Sequence, residues 1–270
     1  MRLRPLRGRR GLLNPALRKR GMFVLPNLFT TAALFFGFCA IVLAMNQDFV
    51  RAAEAIFVAM ILDSLDGRVA RATHTQSEFG AEFDSLSDMV SFGVAPALVV
   101  YEWTLRGFGK WGWMVAFFYC AMAALRLARF NTNIEVVDKR YFQGLPSPAA
   151  AAIVAGLVWV ASDHQIAVGT TGNHVALDWI ALILTAYAGA TMFVTVPFYS
   201  GKDLSQRRRV PVAVGVTIIL GIVLLLLTAS ADLPIFAFTL AIAYGVSGYL
   251  LWLWKRLRQA QEPERQQKLF

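Results

Sequence analysis

The chain has 270 residues, of which 57% are hydrophobic and only 16% are charged, and its formal net charge is +9. Soluble domains contain about 45–50% apolar and about 25% charged residues, so the composition excludes a typical soluble domain as well as a disordered or collagen-like chain. The two cysteines lie in separate apolar runs and the three histidines are scattered, which excludes a disulfide framework and a histidine-based zinc site.

Apolar runs long enough to cross a bilayer recur along the chain. A spanning helix needs about 20 mostly apolar residues. The runs are continuous and lack the alternation of barrel strands, so we expect bundled helices. The sequence predicts an all-α polytopic membrane protein with about eight transmembrane helices, at residues 22–45, 52–71, 84–102, 110–130, 148–163, 176–198, 211–230 and 233–254.

Basic residues divide unequally between the two ends of these helices. If the first residues are cytoplasmic and eight spans follow, all but three of the 26 Lys and Arg residues (Arg51, Arg106 and Lys110) lie on the cytoplasmic side. This bias predicts a multi-pass protein of the cytoplasmic membrane with both termini inside. We therefore expect a basic cytoplasmic arm at 1–21, a membrane-embedded catalytic domain at 22–254 and a polar cytoplasmic tail at 255–270. The basic arm suits orientation and anionic headgroups, and we expect no nucleic-acid partner.

Four aspartates stand at the ends of the second and third apolar runs. Asp63 and Asp66 are spaced i,i+3, and Asp84 and Asp88 are spaced i,i+4, so each pair faces one side of its helix. The second helix runs inward and the third runs outward, joined by about a dozen residues. We therefore expect the two pairs to approach each other, with the active site on the cytoplasmic side.

Four ionised carboxylates can share one cavity only if a positive charge joins them. Oxygen ligands suit Mg²⁺ or Mn²⁺, and paired metals recur in phosphoryl chemistry. Gly67 removes a side chain where a ligand would approach, Gly80 keeps the entrance of the third helix open, and Arg71 is placed to pair with phosphate oxygens. From these residues alone, a divalent-cation transporter remains the alternative to an enzyme.

The aspartates belong to the longer pattern Asp63-x2-Asp66-Gly67-x2-Ala70-Arg71-x8-Gly80-x3-Asp84-x3-Asp88. This pattern resembles the signature of the CDP-alcohol phosphatidyltransferase family. The resemblance implies a homodimeric membrane enzyme with a core of six helices. Such an enzyme transfers a phosphatidyl group from a CDP-linked lipid to an alcohol, releases CMP and uses Mg²⁺ or Mn²⁺, with two ions expected.

The resemblance also implies roles for individual residues. The metal ligands are Asp63, Asp66, Asp84 and Asp88, and Asp88 also matches the proposed general base. Residues that match contacts to the CDP-lipid are Asn27, Thr30, Gly67, Arg71, Ser77 and Gly80.

Three further stretches resemble the membrane-embedded phosphatidylserine synthase branch of that family: LARFN at 127–131, GLPSPAA at 144–150 and the looser FYSGKDL at 198–204. They imply CDP-diacylglycerol and L-serine as substrates. An arginine can hold the serine carboxylate through two hydrogen bonds. Arg126 and Arg129 are the candidates, with Asn131 as polar orienter and Lys202 as a further contact. The alternative is a sister enzyme of the same family that uses glycerol-3-phosphate, inositol phosphate or another alcohol as the acceptor.

Overall fold

The structure is a computed structural model, and it describes residues 15–73, 75–132, 141–166, 175–199 and 232–267. These residues form eight α-helices, two short strands, one π-helical segment and one 3-10 turn. In chain order they are α1 (Pro15–Met45), α2 (Phe49–Thr73), α3 (Glu78–Asp88), the π segment (Met89–Val94), α4 (Ala95–Trp103), the 3-10 turn (Leu105–Phe108), α5 (Lys110–Thr132), β1 (Tyr141–Gln143), α6 (Ser147–Asp163), α7 (Val175–Phe193), β2 (Pro197–Tyr199) and α8 (Leu233–Gln267).

The prediction of an all-α polytopic membrane protein is confirmed. Within the described part of the chain, five helical stretches are long and apolar enough to cross a membrane: Pro26–Met45, Glu78–Trp103, Lys110–Thr132, Ala176–Phe193 and Leu233–Leu250. Helix α2 has 25 residues and α6 has 17, so they account for two more of the predicted runs. The run predicted at 211–230 lies outside the described residues.

The helix predicted at 176–198 ends earlier than expected. It stops at Phe193, and Pro197–Tyr199 instead pairs antiparallel with Tyr141–Gln143. Pro197 disfavours helical geometry at the residue before it, which accounts for the early end. Beside this small sheet Gly144 has φ +81°, and a Cβ there would collide with the carbonyl oxygens of Met192 and Val194, so the position requires glycine.

The third membrane helix runs without a break from Glu78 to Trp103 but contains the π segment. The N–H of Ala95 donates to the carbonyl of Val90, five residues earlier, which is the hydrogen-bond spacing of a π-helix. The buried hydroxyl of Tyr119 donates to the carbonyl of Phe92 at 2.9 Å. The π segment directly follows Asp88, and the hydrogen bond from Tyr119 attaches it to α5.

Helix α6 is the centre of the bundle. Eleven of its 17 residues are buried, which fits a helix that is apolar on all sides. Helix α8 lies against it at close range, because a Cβ on Gly156 would be 3.1 Å from the ring of Phe238, and one on Gly245 would be 2.9 Å from Cδ1 of Ile153. This packing fixes the last helix against the core.

Helices α1, α2 and α3 surround the aspartates. Helix α1 packs along α2 and also contacts α3, and Ser91 Oγ donates to the carbonyl of Ala33 at 3.1 Å. The connection between α2 and α3 is shorter than the dozen residues predicted, because α3 begins at Glu78 with Ser77 as its N-cap. The carboxylates of α2 and α3 are therefore held close together.

Candidate active site

Carboxylates from two adjacent helices converge at one end of the bundle. Asp63 and Asp66 come from α2, and Asp84 comes from α3. Each offers an oxygen atom that lies within 4.8 Å of the oxygens of the other two. Asp66 is buried, and Asp63 and Asp84 are half-buried. The i,i+3 spacing in α2 turns both of its aspartates toward α3, as the sequence predicts.

The fourth aspartate lies at the edge of this cluster. The carboxyl groups of Asp63 and Asp88 are within hydrogen-bonding range of each other, and Arg126 is close enough for its charge to act on Asp88. Oδ1 of Asp88 and Oδ1 of Asp84 are buried and have no hydrogen-bond partner among the described residues. Buried acceptors are normally paired, so both oxygens are positioned for a group that comes from outside the chain.

The spacing of the carboxylate oxygens in the cluster suits a divalent cation. Opposite ligand oxygens of Mg²⁺ are about 4 Å apart, because each lies about 2.1 Å from the ion. The 4.8 Å limit for the Asp63, Asp66 and Asp84 oxygens is close to that separation. The donors are all carboxylate oxygens, which are the ligands that Mg²⁺ and Mn²⁺ prefer.

Helix α1 holds one carboxylate of the cluster in place. The hydroxyl of Thr30 donates to Oδ2 of Asp66 at 2.8 Å, and the N–H of Gly67 donates to Oδ1 of the same carboxylate. The hydroxyl of Ser87 in α3 donates to the carbonyl of Thr30 at 3.1 Å. Thr30, predicted as a contact to the CDP-lipid, thus also links the helices that carry the aspartates.

A cavity of about 420 Å³ opens beside the cluster. Predicted contact residues that line it are Asn27, Thr30, Gly67, Arg71, Ser77 and Gly80, together with Asp66 and Asp84.

Glycines leave room in this cavity at two points. A Cβ on Gly67 would be 3.3 Å from Nη1 of Arg71, so the guanidinium lies over the glycine. A Cβ on Gly80 would be 3.1 Å from Oγ of Ser77 and 3.6 Å from Oδ1 of Asn27. Ser77 Oγ accepts the N–H of Gly80 at 3.0 Å as the N-cap of α3, so its placement follows from a common capping rule.

The residues predicted to bind serine have three different environments. Arg126 donates to Oγ of Ser147 at 2.8 Å, and its Nε is buried and without a hydrogen-bond partner among the described residues. Arg129 stacks over the ring of Phe193 at 4.0 Å. Asn131 donates to Oγ of Ser85 at 3.1 Å. Lys202 lies outside the described residues.

Two site features did not follow from sequence reasoning. Ser147 is fully buried and contacts Arg126, whereas the GLPSPAA block contributed to the sequence analysis only as a family resemblance. Phe130 lines the cavity with the residues of α1, α2 and α3. Its place in the LARFN block, next to two candidate polar residues, was the available signal.

The family model described as CDP-alcohol phosphatidyltransferase matches residues 23–254. A Helicobacter pylori protein named CDP-diacylglycerol--serine O-phosphatidyltransferase is 41% identical over 162 residues, which cover 60% of this chain and 68% of the relative. Proteins of the same name from Mycobacterium tuberculosis (37% over 187 residues, 63% of this chain and 62% of the relative) and Saccharomyces cerevisiae (40% over 117 residues, 40% and 41%) are also similar. Because the family match spans most of the chain and includes all four aspartates, the protein belongs to the CDP-alcohol phosphatidyltransferase family.

Proposed function

We propose that this protein transfers the phosphatidyl group of CDP-diacylglycerol to L-serine, giving phosphatidylserine and CMP. The observation that carries the proposal is the convergence of Asp63, Asp66 and Asp84 beside a cavity that also contains Arg71. The names of relatives that are 36–43% identical in sequence support serine as the acceptor.

Divalent ions complete the site in this proposal. Asp63, Asp66, Asp84 and Asp88 would hold Mg²⁺ or Mn²⁺, and we expect two ions, as the family resemblance implies. The ions supply positive charge that binds the diphosphate and stabilises the leaving group.

Residues of α1, α2 and α3 bind the CDP part of the substrate. The guanidinium of Arg71 pairs with diphosphate oxygens, and Gly67 lets those oxygens approach the backbone. Asn27, Thr30, Ser77 and Gly80 line the rest of the cavity and offer polar contacts to the nucleotide. The acyl chains remain in the lipid.

The acceptor is held on the α5 side of the aspartates. Arg126, whose Nε has no hydrogen-bond partner in the described part of the chain, binds the serine carboxylate, while Arg129, Asn131 and Lys202 are further contacts. Asp88 takes the proton of the serine hydroxyl. The serine oxygen bonds to the β-phosphorus, the bond from that phosphorus to the bridging oxygen breaks, and CMP leaves with the electron pair.

The positive-inside pattern supports a location in the cytoplasmic membrane, with both termini and the active site on the cytoplasmic side. We assign residues 22–254 as the catalytic domain, flanked by the basic arm 1–21 and the polar tail 255–270. The family resemblance supports a homodimer, which cross-linking of the purified protein in detergent tests.

The decisive experiment measures CMP release by the purified protein with CDP-diacylglycerol, Mn²⁺ and a panel of alcohols, and identifies the lipid product. We expect turnover with L-serine and loss of turnover in Asp88→Asn. Preferred use of glycerol-3-phosphate or inositol phosphate would identify a sister enzyme. Mn²⁺ flux into sealed vesicles without consumption of the CDP-lipid would identify a transporter and overturn the proposal.

A further inference from the structure

The aromatic side chain of Phe130 lines the cavity beside the aspartates. Among the described residues that line it, Phe130 is the one aromatic, and the others are small or polar apart from Pro26 and Arg71. Its side chain is 50% exposed. Phe130 comes from α5, whereas the remaining lining residues come from α1, α2, α3 and the connection between α2 and α3. The ring therefore forms a wall that the aspartate helices do not supply.

The two neighbours of Phe130 in the chain are fixed to different helices. Asn131 exchanges hydrogen bonds with Ser85 of α3 at 3.1 and 3.3 Å. Arg129 stacks over Phe193 of α7 at 4.0 Å. The backbone that carries the ring is thus anchored on both sides, and the described residues leave half of the Phe130 surface exposed.

Polar groups suited to the edge of a nucleobase line the same cavity. Asn27 and Gln76 carry amides, each with donors and an acceptor, and Ser77 and Thr75 carry hydroxyls. Oδ1 of Asn27 and Oγ of Ser77 both border the space where a side chain at Gly80 would begin. A cytosine base presents donors and acceptors on its edge and has two flat apolar faces. A site that binds it therefore needs polar groups for the edge and an apolar surface for a face.

We propose that Phe130 is the ring on which the cytosine of the CDP-lipid stacks. The inference rests on the proposed function, because it assigns the base of that substrate to this wall. Stacking of a base on an aromatic side chain does not depend on charge, so Phe130 contributes to recognition of the base while Arg71 and the aspartates act on the diphosphate.

The test compares ligands with and without the base on three variants. Phe130→Leu keeps an apolar side chain of similar volume but has no flat face, Phe130→Tyr keeps the face, and Phe79→Leu is the matched control. Phe79 is 69% exposed, lies on α3 and does not line the cavity. Binding of CMP and of pyrophosphate is measured on the full-length protein in detergent with Mn²⁺, together with KM for CDP-diacylglycerol and for serine.

Phe130→Leu should weaken CMP binding and raise KM for CDP-diacylglycerol by roughly 5- to 150-fold, with pyrophosphate binding and KM for serine unchanged. Phe79→Leu should match the parent protein, and Phe130→Tyr, which keeps the flat face, should bind CMP more tightly than Phe130→Leu does. Unchanged CMP affinity in Phe130→Leu would overturn the inference. Equal weakening of CMP and pyrophosphate would also overturn it, because the ring would then support the site as a whole.

Measurements on the parent protein distinguish failure of this inference from failure of the proposed function. If it releases CMP from CDP-diacylglycerol and Phe130→Leu behaves like the parent, only the stacking assignment fails. If the parent neither binds CMP nor consumes the CDP-lipid, the proposed function fails and the assignment fails with it.

Discussion

The hydroxyl of Thr30 donates a 2.8 Å hydrogen bond to Oδ2 of Asp66. Because the carbonyl of Thr30 also accepts the hydroxyl of Ser87, this one residue of α1 connects the two helices that carry the aspartates. The orientation of the Asp66 carboxylate thus depends on a helix that supplies none of the four aspartates.

Replacing Thr30 by valine tests this link. Thr30→Val keeps the shape of the side chain but removes the donor, and hydrogen bonds to charged groups contribute about 1.5–3 kcal/mol. We expect kcat/KM for CDP-diacylglycerol to fall by about tenfold or more and the Mn²⁺ concentration needed for half-maximal activity to rise. Thr30→Ser, which keeps the hydroxyl, should retain most activity. Equal activity of the valine and serine variants would contradict the link.

Neutralising Asp84 tests the carboxylate cluster. Asp84→Asn removes a charge from three converging carboxylates, so we expect activity to fall at least about 100-fold and Mn²⁺ affinity, measured by electron paramagnetic resonance, to fall with it. Glu82→Gln is the control, because Glu82 is exposed on the same helix. In the parent protein, EDTA should abolish turnover, and added Mg²⁺ or Mn²⁺ should restore it. Activity that survives complete chelation would argue against a metal site.

The role proposed for Arg126 predicts a selective effect on the acceptor. Arg126→Lys keeps the charge but loses the fork of N–H donors that matches a carboxylate. We expect kcat/KM for serine to fall by about tenfold or more and KM for CDP-diacylglycerol to stay within about twofold. Arg106→Lys is the control, because Arg106 is exposed and pairs with Glu102 on the far side of the bundle from the aspartates. If only KM for the CDP-lipid rose, Arg126 would instead be assigned to binding the nucleotide part of that substrate.

Tyr119 predicts an effect on stability. Tyr119→Phe leaves the buried carbonyl of Phe92 without the hydroxyl donor that it has at 2.9 Å, and an unsatisfied buried group costs about 1–3 kcal/mol. The melting temperature in detergent should fall. Turnover at a temperature where both proteins are folded should also fall, since Asp88 directly precedes the π segment. An unchanged melting temperature would show that the carbonyl finds another donor.

The aspartate site could be predicted because its information is local. The i,i+3 and i,i+4 spacings decide which way the side chains point, and charges near the end of an apolar run are rare enough to be informative. The convergence of Asp63, Asp66 and Asp84 follows from those two facts and from the antiparallel course of α2 and α3.

Other features depend on contacts between distant parts of the chain. The stacking of Arg129 on Phe193 and the pairing of β1 with β2 join segments more than 50 residues apart, and no local pattern encodes them. The end of α7 at Phe193 required weighing Pro197 against a run that stays apolar to 198. Hydropathy alone favoured the longer helix.

The π segment was also hidden, because hydropathy does not distinguish it from an α-helix. One additional residue in a turn offsets everything after it by about 100° relative to a regular α-helix. The face that carries Asp88 and the face of α4 that packs into the core are therefore kept in phase by a single surplus residue. An in-frame loss of one codon within 89–94 would rotate one half of this helix against the other, a defect that no single side-chain replacement in the segment reproduces.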